Sequence, residues 1–489
     1  LSDVPVHSDR TTALDPRRWI AAAFVLVAVA MDILDTTIVI IALPDMEKDL
    51  GTGSAALQWI TASYTLTFAL TLITAGRVGD RFGRRKATRI GITGFIIASA
   101  ICALAPTVEV LIVGRVLQAM AGSLILTQAL SVFQVEFSAE ERPKVLGMFG
   151  AVLGSAAVLG PILGGFLVAA DLAGLGWRTI FWINVPIGVI TLFGVSRYLR
   201  ESRSSRPAAL DPAGLALLTV ALLMLLFPLV QGRELGWPWW SIALIVAAIP
   251  LLLVFVRSQI RLERRGEVPL VLPRLWLDRS FVGGLGIVLA FLAAFMSMFF
   301  VLNYYLQVGL GFSPLDSGFA LVPSAVATVV FSLLSTPLVR RFGPWVLTAG
   351  SVAGAVGLLT LIVTVHSGGA DLKALWIAPA MVIVGTGMGL VTAPVIDVVL
   401  ARVSPDDAGS ASGVLNTVEQ LGAAVGVATV GTVFFGTAGS AARPEDQQML
   451  ADALGVALWV NIALMLVSAG LSLLLPRKAR VTVEKEVPA

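Results

Sequence analysis

Long apolar runs alternate with short polar breaks along this chain, and the runs recur at a length that suits a lipid bilayer. A helix crosses the hydrocarbon with ~20 apolar residues. On that measure fourteen spans are predicted, near 19–43, 55–76, 87–106, 108–133, 145–170, 179–199, 212–231, 239–257, 281–307, 316–338, 345–365, 374–401, 408–436 and 452–475. The spans at 281–307, 374–401 and 408–436 are long, so each is expected to tilt or to run past the lipid. Charge collects in the breaks. Residues 76–86, GRVGDRFGRRK, set five cations and one acid among three glycines, between two segments that carry almost no charge.

Composition points the same way. Mean hydropathy is +0.90 and only 13% of the 489 residues are charged, against about a quarter in soluble proteins. A pI near 9.2 would suit a nucleic-acid partner, but the placement of the cations argues against one. With the N-terminus inside, 28 of the 34 Lys and Arg fall on cytoplasmic segments. Five lie on outer loops (Lys48, Arg178, Arg233, Lys373, Arg443), and Arg115 sits within a span. That asymmetry follows the excess of cations on cytoplasmic loops. It predicts both termini in the cytoplasm, a bilayer as partner and no nucleic acid. Trp237, Trp239 and Trp240 then fall at the outer boundary, where aromatic belts belong. Arginine outnumbers lysine 28 to 6, which fits a GC-rich bacterial genome and hence a bacterial plasma membrane. One cysteine (Cys102) and two histidines (His7, His366) supply no disulfide framework, metal cluster or nucleophile–base set. No enzyme activity, cofactor or metal is expected.

The spans fall into two blocks, 19–199 and 281–475, with tails at 1–18 and 476–489. Between the blocks, 200–280 holds two inserted spans flanked by basic, proline-containing linkers. The blocks echo each other. Asp80-Arg81-Phe82-Gly83-Arg84-Arg85 follows the second span of the first block, and Arg340-Arg341-Phe342-Gly343-Pro344 follows the second span of the second. Two six-helix repeats are therefore expected in an all-α membrane protein, an arrangement common in transporters. Glycines permit a sharp turn between helices. Asp80 is placed either to latch onto a cation or a helix N-terminus across the half, or simply to sit in a solvated basic loop.

At these residues the chain resembles the major facilitator superfamily, whose cytoplasmic loop motif is similar to GRVGDRFGRRK. Further motifs resemble the superfamily's 14-helix drug:proton antiporter branch. They are residues 34–44 (LDTTIVIIALP), Gly147 with Gly160-Pro161-Ile162-Leu163-Gly164-Gly165, and residues 177–188 (WRTIFWINVPIG). The departures are Ala156 for a glycine, Arg115-Val116-Leu117-Gln118-Ala119-Met120-Ala121-Gly122 for an Arg…Gln-Gly-x-Gly pattern, and Arg340 opposite Asp80. The resemblance implies the major facilitator fold with two added helices, and export by antiport. Gly76, Gly79, Asp80, Arg81, Gly83, Arg84, Gly160, Pro161, Gly164 and Gly165 would govern gating.

Ionisable groups in hydrocarbon are costly and mark function by default. Asp32 and Asp35 share a helical face, and Arg115 is predicted at a depth similar to Asp35, close enough to pair. Asp35, Asp32, Arg115 and Glu419 are the candidate proton-coupling residues. The plainer reading is a static Asp35–Arg115 pair with Asp32 as bystander and Glu419 a bonded neutral acid. Asp397 is read as wet and Asp316 as a helix cap. A polar ring of Gln58, Tyr64, Gln118, Asn303, Tyr304 and Gln307, with Glu419, is the expected substrate cavity. Phe291, Phe295 and Phe299, with Met296 and Met298, are read as lipid- or core-facing ahead of ligand-binding. The function expected is a monomeric exporter that exchanges protons for small amphipathic, cationic compounds by alternating access. The alternatives are a dedicated exporter of one metabolite, antibiotic, siderophore or lipid, and a receptor or scaffold that binds without transporting.

Overall fold

The computed structural model describes residues 17–138, 140–203, 211–232, 235–267, 269–369, 372–400, 408–439 and 447–475. The tails, His7 and the side chains of Arg340 and Asp397 lie outside the described residues. Helices dominate: α1 (Arg18–Leu50), α2 (Ser54–Phe82), α3 (Arg84–Ala103), α4 (Val108–Glu136), α5 (Arg142–Ala169), α6 (Thr179–Trp182), α7 (Asn184–Tyr198), α8 (Pro212–Gln231) and α9 (Trp239–Arg264). Then come α10 (Arg279–Tyr304), a π-helical turn (Tyr305–Gly309), α11 (Pro314–Phe342), α12 (Trp345–Gly368), α13 (Ala374–Leu400), α14 (Ala408–Ala438) and α15 (Gln447–Leu473). Among the described residues twelve helices are long and apolar enough to cross a membrane, or thirteen when the two arms of α2, bent by 48°, count as one. The fourteenth expected span, 145–170, lies in α5, of which the described residues qualify only as the shorter apolar stretch Leu159–Ala169.

The chain is inside out by the standards of a water-soluble protein. Phe193, Leu333 and Trp459 are more than half exposed, while Arg115, Asp32 and Asp35 are at most 2% exposed. Lipid is the solvent that such an apolar exterior requires. Helices α1, α2, α3, α4, α5 and α7 pack among themselves, and so do α10–α15. The groups meet along two seams, α2 against α14 and α5 against α11. Helix α8 lies over the first seam. Leu222, Leu226 and Val230 cluster with Leu66 and Leu70 of α2 and Ala424 and Ala428 of α14. The α8 end is bonded to both groups, Trp59 donating to Gln231 (3.3 Å) and Thr432 to the Leu229 carbonyl (2.6 Å).

Small residues set the second seam. Gly160 and Gly164 of α5 lie against Thr37 and Ile38 of α1, and Gly165 against Pro314 and Leu315 of α11. Gly318 of α11 returns the contact onto Pro161. A side chain at any of these glycines would meet its neighbour, so the helices approach as closely as backbone allows. These contacts lie toward the end of the bundle opposite the basic loops. The Thr417 hydroxyl, which donates to the Ala69 carbonyl at 3.3 Å, bridges the other seam nearer the middle.

Candidate functional site

The deepest polar cluster is built by α1, α2, α3, α4 and α7. Asp35 and Arg115 pair at 2.5 Å, with both side chains at most 2% exposed. The other Asp35 oxygen accepts from Gln118 Nε2 (2.8 Å) and Asn184 Nδ2 (2.7 Å). The same Arg115 nitrogen donates to Gln118 Oε1 (2.7 Å), and Gln118 and Asn184 share the Ser99 hydroxyl. The guanidinium also lies over the Tyr64 ring, 4.1 Å from its centroid, a cation–π contact worth most where water is excluded. One helical turn from Asp35, Asp32 accepts the Tyr64 hydroxyl at 2.5 Å, and its second oxygen has no hydrogen-bond partner among the described residues. Gly122 touches Asp32 Oδ1 and the Tyr64 hydroxyl, so a methyl there would collide with both.

The two acids therefore sit in unlike surroundings. Both Asp35 oxygens are saturated by a cation and two amides, the arrangement a buried charge needs. Asp32 has one bonded and one orphaned oxygen, which is uncommon for a buried carboxyl. Asn184 and Ser99 complete the cluster and were not among the residues singled out from sequence. Asn184 was legible in principle, since it lies within WRTIFWINVPIG, but a neutral amide carries no signal of depth.

The polar ring expected around a cavity is dispersed. Tyr64 and Gln118 belong to the acid cluster. Gln58, 2% exposed, lies at the α2–α14 seam against Gly431. Asn303 and Gln307 donate to the Ile40 and Ile41 carbonyls of α1, each at 2.7 Å. Tyr304 packs on Phe434 and Phe435. Glu419, on α14, is partly exposed and has no hydrogen bond or ion pair with another described residue. A cavity of about 130 Å³ lies instead where α1, α5, α10, α11 and α13 converge. Its wall includes Thr37, Pro161, Phe295, Met296, Phe299 and Thr328, and it contains no charged side chain. Two of the three phenylalanines of the α10 stripe thus line a space between the helix groups, Phe295 and Phe299 lying edge to face at 4.6 Å, while Phe291 is buried in the core.

The glycine-rich loop is tied mainly within its own group, with one tie outside it, from Arg77 to the Pro269 carbonyl (2.6 Å) in the segment before α10. Gly83, at φ +106°, separates α2 from α3, and Asp80 pairs with Arg84 of the same loop at 2.9 Å. Glu201 accepts from the Arg85 and Lys86 backbone amides, and Arg85 donates to the Ser196 carbonyl. The Gly83 and Gly343 turns both take positive φ at equivalent places. Gly79 packs against Gln128, whereas Gly76 faces open space and Arg81 lies over the Phe82 ring.

Buried charge at helical crossings, close-packed glycines and an apolar cavity between two helix groups define a multi-pass membrane transporter. The sequence profile of the Major Facilitator Superfamily matches residues 25–427, and the chain belongs to that family. Its relatives include proteins named for transport, export or drug resistance. It is 40% identical to the "Probable actinorhodin transporter" of Streptomyces coelicolor, over 89% of this chain and 76% of that one. It is 34% identical to the "Tetracenomycin C resistance and export protein" of Streptomyces glaucescens (86% and 77% covered). With the "Multidrug resistance protein Stp" of Mycobacterium tuberculosis the identity is 30%, over 86% and 77%. Among solved structures, a D-xylose–proton symporter superposes with a TM-score of 0.65 at 14% identity, over 94% and 98% of the two chains. A bacterial homologue of the human lysosomal transporter Spinster, inward-facing, gives 0.64 at 18%, over 94% and 97%. At such identities the likeness is one of fold.

Proposed function

We propose that this transporter is a proton-coupled exporter of amphipathic compounds that works by alternating access between its two helix groups. The observation that carries the reading is the pair of unlike acids on α1. Asp35 is the fixed charge, locked by Arg115, Gln118 and Asn184. Asp32 is the carrier, because its free oxygen can take a proton while the Tyr64 bond is kept. Both lie on the helix that also walls the cavity through Thr37, Ile40 and Ile41, so a change of charge at Asp32 is felt where cargo binds. The apolar, aromatic lining suits a greasy ring system. A preference for cationic cargo would fall to Glu419, since the cavity wall has no acid of its own. Contacts concentrated at the end away from the basic loops are consistent with a state closed to the outside and facing the cytoplasm.

Dye efflux from cells and from proteoliposomes, with the pH gradient intact or collapsed, tests the coupling. Uphill export is expected to stop when the pH gradient is dissipated and to survive loss of the membrane potential more fully. Export unaffected by either would sink the proposal. A second reading is favoured by the relatives named for single antibiotics, actinorhodin and tetracenomycin C: a pump dedicated to one such product. Competition among unrelated dyes and drugs separates the two, because a dedicated pump is inhibited by its own cargo alone.

A further inference from the structure

Helix α1 contains Pro44 in its interior. Proline has no amide hydrogen, so the carbonyl four residues earlier loses its helical partner and is pushed aside by the ring. That carbonyl belongs to Ile40. In the structure it is the acceptor of Asn303 Nδ2, 2.7 Å away across the interface between the two helix groups. One residue on, the Ile41 carbonyl accepts Gln307 Nε2 at 2.7 Å, and Gln307 also donates to Asn303 Oδ1 at 3.0 Å. Gln307 lies in the π-helical turn Tyr305–Gly309 that follows α10, a wide turn of the kind that re-aims side chains at working sites. Asn303 is 1% and Gln307 8% exposed. Two amides from one group thus close on two carbonyls of the other, one of which has no other helical partner.

We propose that Pro44, Asn303 and Gln307 form a latch that holds the outer end of the transporter shut and opens once per cycle. Ile40 and Ile41 carry the latch on their backbones and are also among the residues that wall the cavity, so the latch forms beside the cargo space. Opening exchanges the two amide–carbonyl bonds between the groups for water, while the Gln307–Asn303 bond, which lies within one group, holds the two amides side by side. Pro44 is the positioning residue: without it the Ile40 carbonyl would be spent inside α1. The proposal rests on the alternating-access reading, but its test needs neither cargo nor proton gradient.

The test is pulsed spin-label distance measurement on the full chain in nanodiscs, in a Cys102→Ala background, with labels at Lys48 and Gln448 near the outer ends of α1 and α15. Asn303→Leu with Gln307→Leu is expected to raise the ratio of open to closed outer distances, on the order of fivefold for each net bond lost. Pro44→Ala restores an amide hydrogen to the Ile40 carbonyl and lengthens regular helix, so it folds at least as readily. It is expected to shift the ratio in the same direction by a smaller factor. Pro44→Ala combined with Asn303→Leu is expected to shift the ratio less than the product of the separate shifts, because both act on one bond. Unchanged distances in both variants, or fully multiplicative shifts, would overturn the latch. Changed distances in a protein whose export ignores the pH gradient would leave the latch standing and remove proton coupling.

Discussion

At the scale of single residues, two carboxylates one helical turn apart have been given different partners, and partner count decides what each can do. Removing charge from Asp35 leaves the Arg115 guanidinium buried without a counter-charge, a loss that typically costs ~3–5 kcal/mol. Asp35→Asn is therefore expected to lower both thermal stability and transport. Asp32→Asn keeps an oxygen for the Tyr64 hydroxyl, so its thermal midpoint should stay within a few degrees of the parent, while pH-driven export falls at least tenfold. Melting by tryptophan fluorescence beside proteoliposome flux separates the two outcomes. A stable, uncoupled Asp35→Asn with a fully active Asp32→Asn would reverse the assignment. The sequence made both acids and Arg115 legible, because charge within an apolar run is conspicuous. It concealed Asn184 and Ser99, because neutral polar groups are common in such helices and only three-dimensional convergence gives them a role.

At the scale of helices, close approach and end-to-end ties matter more than any one side chain. Gly165 meets the backbone of Pro314 and Leu315 across the α5–α11 seam, so Gly165→Val must part those helices. Export is expected to fall more than tenfold with the protein still inserted and folded, and the alanine variant should lie between. Near-parental flux in the valine variant would show that the seam tolerates separation. A second tie joins the starts of α1 and α5, where Arg18 pairs with Glu141 at 2.6 Å. The Arg18 guanidinium holds the Glu141 carboxyl below its ordinary value. A depressed carboxyl stabilises the fold fully above the unfolded value of about 4.3 and loses that contribution as pH falls through the lower folded value. Glu141→Gln should accordingly be less stable than the parent at pH 7, with the gap closing below about pH 4. The effect should be modest and weakened by salt, as for exposed pairs. A constant gap from pH 7 to pH 3 in thermal melts would show that the pair makes no electrostatic contribution.

At the scale of the whole molecule, the hydrophobic pattern foretold an all-helical, multi-pass chain and the order of its helices far better than it foretold the seams. Apolar runs report burial in lipid or protein alike, so they place spans along the chain but cannot say which face meets a neighbouring helix. That is why Phe295 and Phe299 were read as lipid- or core-facing and yet wall a cavity, while Phe291 does lie in the core, and why Asn303 and Gln307 were expected at the cavity and instead bridge to α1. Charge supplies what hydropathy lacks, namely direction. If the basic loops face the cytoplasm, Thr52, Gly174 and Gly369 are outside and Ser202 and Gly266 inside. Each of these positions lies in a break between helices. Single cysteines placed there in a Cys102→Ala background are expected to divide cleanly when intact cells meet a membrane-impermeant maleimide: the first three labelled, the last two protected until the membrane is opened. The result also fixes the crossing number in the part of the chain where the helices leave it undecided. Labelling of Thr52 and Gly174 on the same side requires an even number of crossings between them, which α2–α5 satisfy only if α5 spans the bilayer. Protection of Gly174 with Thr52 labelled would remove α5 as a crossing, and the pairing of α5 with α11 would no longer describe the seam between two halves of a transporter.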